Sequence, residues 1–479
     1  PAAAGIYWAG SDDGLVHVTD DNGKTWRNVT PSAMPEWGSV NTIEASPHDP
    51  ARAFISVLKF KLGDYRPYIF RTDDFGKSWM LLTSGNNGIS SDNPTRVVRE
   101  DPDRKGLLYA GTEKGMYVSF DDGQSWQSLQ LNLPIVPVTD LEIHDNDLVA
   151  STQGRSFWIL DDLTVIHQVA SNTASKESPS LLQPRDSYRM RMPKNDNNPP
   201  NGAMIFYSLP QDVKGEVTLQ ISDSKGNVIQ TFSSEYASKP DLEFPYDFMG
   251  SYAGDRKLTK NAGLNRFVWD LRYPTIDFPP GTIVWAYLGG VKVAPGTFKA
   301  TLNVGDWNQS QTFKVLKDPR SSASQEDLDE QMAFSLQVQN RLNEVYRAVK
   351  QIRSVRQQAH DLTGKLATSG KGNGELKKAS DVLWQKLTAI EDELTQSRNE
   401  ADQDTENFPT KIDNQLAYVY THLDFGDNRP TQGQKDRVND LNKEIDVQLT
   451  KLKSILQTDV AAFNKLALAA GVSPVSVGK

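Results

Sequence analysis

Three octapeptides in the first third of the chain share one pattern, and it constrains the fold more tightly than any other feature of the 479 residues. Thr19-Asp20-Asp21-Asn22-Gly23-Lys24-Thr25-Trp26, Thr72-Asp73-Asp74-Phe75-Gly76-Lys77-Ser78-Trp79 and Ser119-Phe120-Asp121-Asp122-Gly123-Gln124-Ser125-Trp126 each read S/T-x-D-x-G-x-x-W. The tryptophans fall about 50 residues apart, the length of one four-stranded propeller blade. The flanks repeat as well: Ala45-Ser46-Pro47-His48-Asp49-Pro50 stands before Ala53–Val57, and Glu100-Asp101-Pro102 before Leu107–Thr112. Short β-branched or aromatic runs bounded by Asp, Gly and Pro read as strands and turns. Within each octapeptide, Gly23, Gly76 and Gly123 are suited to positive φ in a hairpin turn. Asp21, Asp74 and Asp121 are placed to accept backbone N–H bonds, and the hydroxyls of Thr19, Thr72 and Ser119 to bond across the same turn. Trp26, Trp79 and Trp126 then cover it with a large apolar face.

These residues resemble the Asp-box, or BNR repeat, of β-propellers such as sialidases and the sortilin class. The resemblance implies boxes at blade edges, away from any ligand pocket, and assigns no catalytic residue. Asn41–Thr83 and Arg96–Leu129 each supply four strand candidates, Gly5–Thr30 supplies three, and Val138–Val169 reads as a further blade with a degenerate box at Leu160-Asp161-Asp162-Leu163. Residues 1–170 therefore read as about four blades of an incomplete ring. Bare strand edges invite pairing, so the expectation is that missing blades come from an upstream segment or another chain. The run Ala150–Asp162, with Leu182-Gln183-Pro184-Arg185 and Asn198-Pro199-Pro200-Asn201-Gly202-Ala203, resembles the end of the propeller in large secreted bacterial proteins often labelled glycosyl hydrolases. The chain begins at Pro1 with no signal peptide, which reads as a mature product or a C-terminal part.

Residues 171–200 read as a linker with connecting strands. From 201 to 320, Glu216–Ile221 alternates and is followed by a Ser224–Asn227 turn and Val228–Phe232, a hairpin. Gly263–Leu271, Pro295–Leu302 and Thr312–Val315 add strands, giving an immunoglobulin- or fibronectin-like β-sandwich. The G-x-N-x-x-x-W-D and P-G-T-F patterns here also resemble the Ig-like module of flagellar-hook capping proteins. From 321 to 479 the apolar spacing becomes helical. Val338, Leu342, Val345, Val349 and Ile352 step by 4, 3, 4 and 3, and Val438, Leu441, Ile445, Leu449, Leu452 and Leu456 make a longer stripe. Four helices joined at Ser369–Gly374, Gln403–Pro409 and Gly426–Gly433 form an antiparallel bundle on this reading.

No apolar run approaches the roughly 20 residues of a membrane-spanning helix. A formal charge of −9 argues against a general nucleic-acid partner. With no cysteine, disulfides, thiolate catalysis and Cys-ligated zinc are excluded. The six histidines, His17, His48, His144, His167, His360 and His422, show no metal-binding spacing. No cofactor is expected, although the Asp-rich turns leave room for a calcium ion. Sialidase chemistry needs three arginines around a carboxylate; Arg27, Arg71, Arg96, Arg99 and Arg155 are present, but the Arg-Ile-Pro segment of that family is absent. No pair of carboxylates stands out for general glycoside hydrolysis. Tyr7, Trp8, Phe157 and Trp158 are expected in the core between blades. The sequence reads as an exported, non-catalytic scaffold that binds a protein, peptide or glycan, with a glycoside hydrolase centred on the propeller axis as the alternative.

Overall fold

The computed structural model describes residues 3–171, 177–190, 200–210, 213–237, 256–368, 374–401 and 403–477. The expected Ser369–Gly374 loop, except its last residue, and residues 172–176 and 191–199 of the expected linker lie outside them. The chain divides into two compact units, residues 1–175 and 176–479.

The first unit is a succession of antiparallel meanders. The first sheet comprises β1 (Tyr7–Gly10), β2 (Val16–Thr19) and β3 (Arg27–Asn28). The second comprises β4 (Ser39–Ala45), β5 (Ala53–Lys59), β6 (Asp64–Thr72) and β7 (Met80–Leu81). The third holds β8 (Thr95–Glu100), β9 (Leu108–Thr112), β10 (Gly115–Ser119) and β11 (Gln127–Ser128). The fourth holds β12 (Val138–His144), β13 (Asp147–Thr152) and β14 (Phe157–Leu160), followed by α1 (Thr164–Ala170). The end strands β4, β8 and β12 lie beside one another, and β1 lies beside β4. Consecutive sheets therefore converge on one edge, as propeller blades do.

Strand register fixes which strand is which. The first residue of the second strand faces the Ser/Thr of the box: Ala53 opposite Thr72 and Leu108 opposite Ser119. Tyr7 faces Thr19 in the same way, so β1 is a second strand. Among the described residues the first blade has no innermost strand, and in the fourth α1 follows the third strand where an outermost strand would come. Aliphatic and aromatic side chains fill the spaces between blades: Phe54, Ile69 and Leu82 pack with Val98, Leu108, Ala110 and Trp126.

The second unit contains β15 (Ser180–Leu181), β16 (Ser187–Arg189), β17 (Ala203–Leu209), β18 (Val217–Asp223), β19 (Val228–Ser233), β20 (Gly263–Trp269), β21 (Gly296–Val304) and β22 (Trp307–Lys317). They form two sheets, ordered β15-β17-β20 and β16-β22-β21-β18-β19. Alternation along β17 and β18 turns every second residue inward, and Ile205, Tyr207, Phe267 and Trp269 of one sheet share a core with Leu219, Ile221, Ala300 and Phe313 of the other. The helices are α2 (Gln325–Thr368), α3 (Gly374–Leu394), α4 (Asp404–Asn407), α5 (Ile412–Leu423) and α6 (Gln432–Ala469). The short α4 sits inside the segment expected to be a loop. Thr431 opens α6 with a reciprocal capping box to Gln434. Val338, Leu342, Val345, Val349 and Ile352 are fully buried, and the irregular segment between β20 and β21 adds Ile276, Ala286, Leu288 and Val291 to the same core.

Candidate functional site

The three boxes close by the same bonds. In the first, Thr19 Oγ1 donates to Asp21 Oδ1 at 2.8 Å and accepts from Gly23 N at 3.0 Å, while Asp21 accepts from Thr25 N at 2.9 Å and Thr25 Oγ1 at 2.7 Å. Thr72, Asp74, Gly76 and Ser78 repeat the set, as do Ser119, Asp121, Gly123 and Ser125. The glycines have φ of +82°, +78° and +86°, a region that penalises any Cβ. Bonds from the Thr25 hydroxyl and amide hold the Asp21 carboxyl down at about 2, and those from Ser78 lower Asp74. Every carboxylate oxygen drawn into these bonds serves the turn.

The box tryptophans also reach backward along the chain. Trp79 Nε1 donates to Val29 O at 2.7 Å, and Trp126 Nε1 to Leu82 O at 3.2 Å. Val29 and Leu82 each immediately follow the outermost strand of the preceding blade.

Since each box joins the third and outermost strands, chain direction places it at the end of the sheet opposite the start of the innermost strand. That start carries the chemistry. β4, β8 and β12 share a bulge at one level, between Val40 and Thr42, Thr95 and Val97, and Val138 and Asp140. A bulge bends a strand and re-aims its side chains. The carbonyl of the bulged Arg96 accepts from Asn41 Nδ2 at 2.6 Å, Thr42 Oγ1 at 2.8 Å and Ser56 Oγ at 2.7 Å, fastening the second blade to the third.

Further along these strands, register puts Glu44, Arg99 and Glu142 at equivalent positions. Arg99 bridges blades, with Nη1 3.3 Å from Glu44 Oε2 and Nη2 2.8 Å from Asp140 Oδ1. Burial pushes the Glu44 carboxyl up to about 7, against the pull of Arg99. Because its folded value exceeds the ordinary 4.5, Glu44 contributes most at pH below 4.5, and that contribution is lost as pH rises through 7. Glu44→Gln is expected to remove this loss. Denaturant midpoints at pH 5 and pH 8 should converge for the variant, recovering about 2–3 kcal/mol at the higher pH. An unchanged gap between the two midpoints refutes the assignment.

At the opening of β4 lies a cleft of about 550 Å³ lined by Asp12, Trp37, Ser39, Asn41, Leu58, Lys59, Phe60, Lys61 and Leu62. Three loops build it: the β1–β2 turn, the link from β3 to β4, and the single 3-10 turn Phe60–Leu62 between β5 and β6. Trp37 is 62% exposed and has φ of +61°, a strained conformation for a bulky residue. Asp12 is the only carboxylate lining the cleft, and the Ser39 hydroxyl donates to it at 3.3 Å. Arg96 sits 5.9 Å from the Phe60 ring and is neutralised by Glu113 at 2.6 Å. None of these cleft residues belongs to the boxes. The signal for them in the sequence is slight: one Trp-Gly pair outside the repeat, and a Lys-Phe-Lys-Leu run where the third blade turns on Glu113-Lys114 alone.

Tyr7 and Phe157 depart from their expected place in the core: they are 51% and 75% exposed. Both lie on end strands of three-stranded sheets, where among the described residues no further strand flanks them. Trp8 and Trp158 are half-buried, packing against neighbouring apolar clusters. Among the described residues no group of three His, Asp or Glu side chains is placed to hold a metal ion, and no helix is long and apolar enough to cross a membrane.

No family model and no curated protein matches the chain. Solved structures similar to it include YCF48 bound to D1 peptide, at 15% identity and a TM-score of 0.25 over 56% of this chain and 91% of that one. A GH74 xyloglucanase from Xanthomonas campestris matches at 12% identity and 0.27, over 66% of this chain and 53% of the enzyme. PorZ, a surface component of the type-IX secretion system of Porphyromonas gingivalis, matches at 11% and 0.21, over 66% and 58%. The chain thus spans little more than half the length of the latter two. Likeness at this level assigns neither family nor activity.

Proposed function

We propose that the chain is an exported, non-catalytic binding protein that takes a peptide segment of a partner protein in the cleft beside Trp37. The observation that carries this reading is Trp37 itself, a strained and solvent-facing indole over an open cleft. Strain of this kind is kept where surrounding structure over-determines it, often at ligand clamps. Trp37, Phe60, Leu58 and Leu62 offer apolar contact, Asn41 and Ser39 offer polar groups, and Lys59 and Lys61 favour an acidic residue in the ligand. Opposed carboxylates, which glycoside hydrolysis requires, are missing from this lining. The export reading rests on the Asp-box resemblance. The two-sheet module of the second unit fits an immunoglobulin-like sandwich, because β15 and β16 divide one stretch of chain between both sheets and β16 pairs parallel with β22.

Peptide-array screening followed by calorimetry tests the reading. Acidic peptides carrying an aromatic or aliphatic residue are expected to bind, and Trp37→Ala to weaken them at least tenfold, with the unfolding midpoint unchanged. Affinity untouched by Trp37→Ala, or binding of glycans alone, overturns it. Glu44 supports a second reading, glycoside hydrolase, since a carboxyl raised to about 7 is suited to proton donation at neutral pH. Turnover of chromogenic glycosides, abolished by Glu44→Gln, would establish that reading.

A further inference from the structure

The blades of the first unit lock together by a rule that the first blade obeys on one side only. In the second and third blades the box glycine and tryptophan lean on the residue after the outermost strand of the blade before. A Cβ on Gly76 would lie 2.6 Å from Val29 Cβ, and one on Gly123 would lie 2.6 Å from Leu82 Cδ1. Both glycines are buried, and each blade's indole donates to that same Val29 or Leu82 carbonyl. In the first blade the equivalent glycine, Gly23, is exposed and meets only its own Trp26 within 4 Å. Trp26 is 45% exposed, against 3% for Trp126.

A second observation, on a different strand, points the same way. Gly10 and Gly111 are equivalent, each lying three residues beyond the one that faces the box Ser/Thr. Around Gly111 a Cβ would meet Val97 of its own innermost strand at 2.6 Å and Val138 of the next blade at 2.8 Å. Around Gly10 it would meet Val40 and Ile43 of the next blade, at 2.5 and 3.1 Å. The place of Val97 has no counterpart among the described residues, and β1 is left as an open sheet edge.

The two vacant positions belong together. Wherever the chain passes from blade to blade, an outermost strand runs directly into the next innermost strand: β3 to β4, β7 to β8, β11 to β12. We propose that the open side of the first blade is the seat of one such segment, an outermost strand followed by an innermost strand, carried by the same polypeptide outside residues 1–479. The segment has the chemistry of Met80–Glu100: a branched aliphatic residue after the first strand, whose carbonyl accepts the Trp26 indole, then a β-branched strand that pairs antiparallel with β1 and sets a valine against Gly10. The sequence supplies the covalent register, since Pro1–Gly10 aligns with Pro102–Gly111, with Pro, Gly, an aliphatic residue, Ala and Gly at matching steps. A second copy of this chain does not offer the same partner. Its fourth blade passes from β14 to α1 and presents no outermost strand among the described residues.

The test places a copy of Met80–Asp101 directly before Pro1 of the full chain, and separately adds the same segment as a free peptide. Hydrogen exchange at Tyr7–Gly10 and the rate of Trp26 oxidation by hydroxyl-radical footprinting are the readouts. Exchange is expected to slow at least tenfold and oxidation at least threefold in the extended chain or with the peptide. Leu82→Asp within the added copy should restore Trp26 oxidation. The proposal is overturned if neither extension nor peptide protects these residues, or if the unextended chain already protects them by forming a dimer.

Discussion

Trp126→Ala is expected to destabilise the first unit by about 3–5 kcal/mol, while Trp26→Ala, an identical change at the same position of the repeat, should alter it by less than about 1 kcal/mol. The difference lies in what each indole covers. Trp126 is almost wholly enclosed between two blades, in contact with the cluster of Phe54, Leu82 and Leu108, and its Nε1 is bonded to Leu82 O. Truncation there leaves a cavity and strips Leu82 O of one of two donors, its bond from Asn87 Nδ2 at 2.9 Å remaining. Trp26 is nearly half exposed, so its loss removes little from the fold. Trp79, half-buried with its bond to Val29 O, should fall between them. Urea unfolding followed by exchange of β9 and β10 amides measures all three. Equal losses for Trp26 and Trp126 would show that the box acts only within its own turn and that docking between blades contributes nothing.

In the second unit the largest effect is expected at the junction of the sheets with the helices. Arg272 forms a forked pair with Asp424, at 2.8 and 3.1 Å, and also donates to Gly290 O at 2.8 Å above the Tyr287 ring. Arg189 reaches Val293 O and Gln331, both at 2.9 Å, and pairs with Asp427. Beside them, burial and then the two arginines push the Lys292 ammonium down to about 7. Arg272→Met strips Asp424 of its forked partner in a poorly solvated place, so a loss of about 3–5 kcal/mol is expected. Arg272→Met combined with Asp424→Leu should regain most of that, because the penalty arises from the stranded charge. A double variant as unstable as the single one would mean that packing of the arginine stem, rather than its charge, holds the junction.

What could be read in advance follows the range of the forces involved. The boxes were legible because Thr19, Asp21 and Gly23 each act within five residues, and the helical stripes because Val338 to Ile352 bury one face of one helix. Strands β18 and β19 were legible for the same local reason, alternation along Glu216–Ile221 ahead of a Ser224–Asn227 turn, whereas β17 at Ala203–Leu209 was not legible as a strand. The cleft was not, because Trp37 and Phe60 stand in segments outside the repeat and meet only when three loops converge. The shared bulge at Asn41, Arg96 and Thr139 is invisible for a related reason: it appears only as a slip in register between paired strands. Tyr7 and Phe157 were misplaced because an aromatic residue on a strand is buried or bare according to the strand beside it, which its own sequence does not encode. Likewise, the entry of Ile276–Val291 into the helical core depends on distant partners: Asp277 N bonds Asn343, 66 residues on, and Tyr287 N bonds Thr421, 134 residues on.

The backward reach of the box tryptophans gives the array a direction. Trp79 and Trp126 find their acceptors in chain already made, so during synthesis each of these two blades, emerging from the ribosome, meets a finished surface on which to settle. Order of assembly and order of translation then coincide. A stalled or truncated product would lose its latest blade while the earlier ones remained docked.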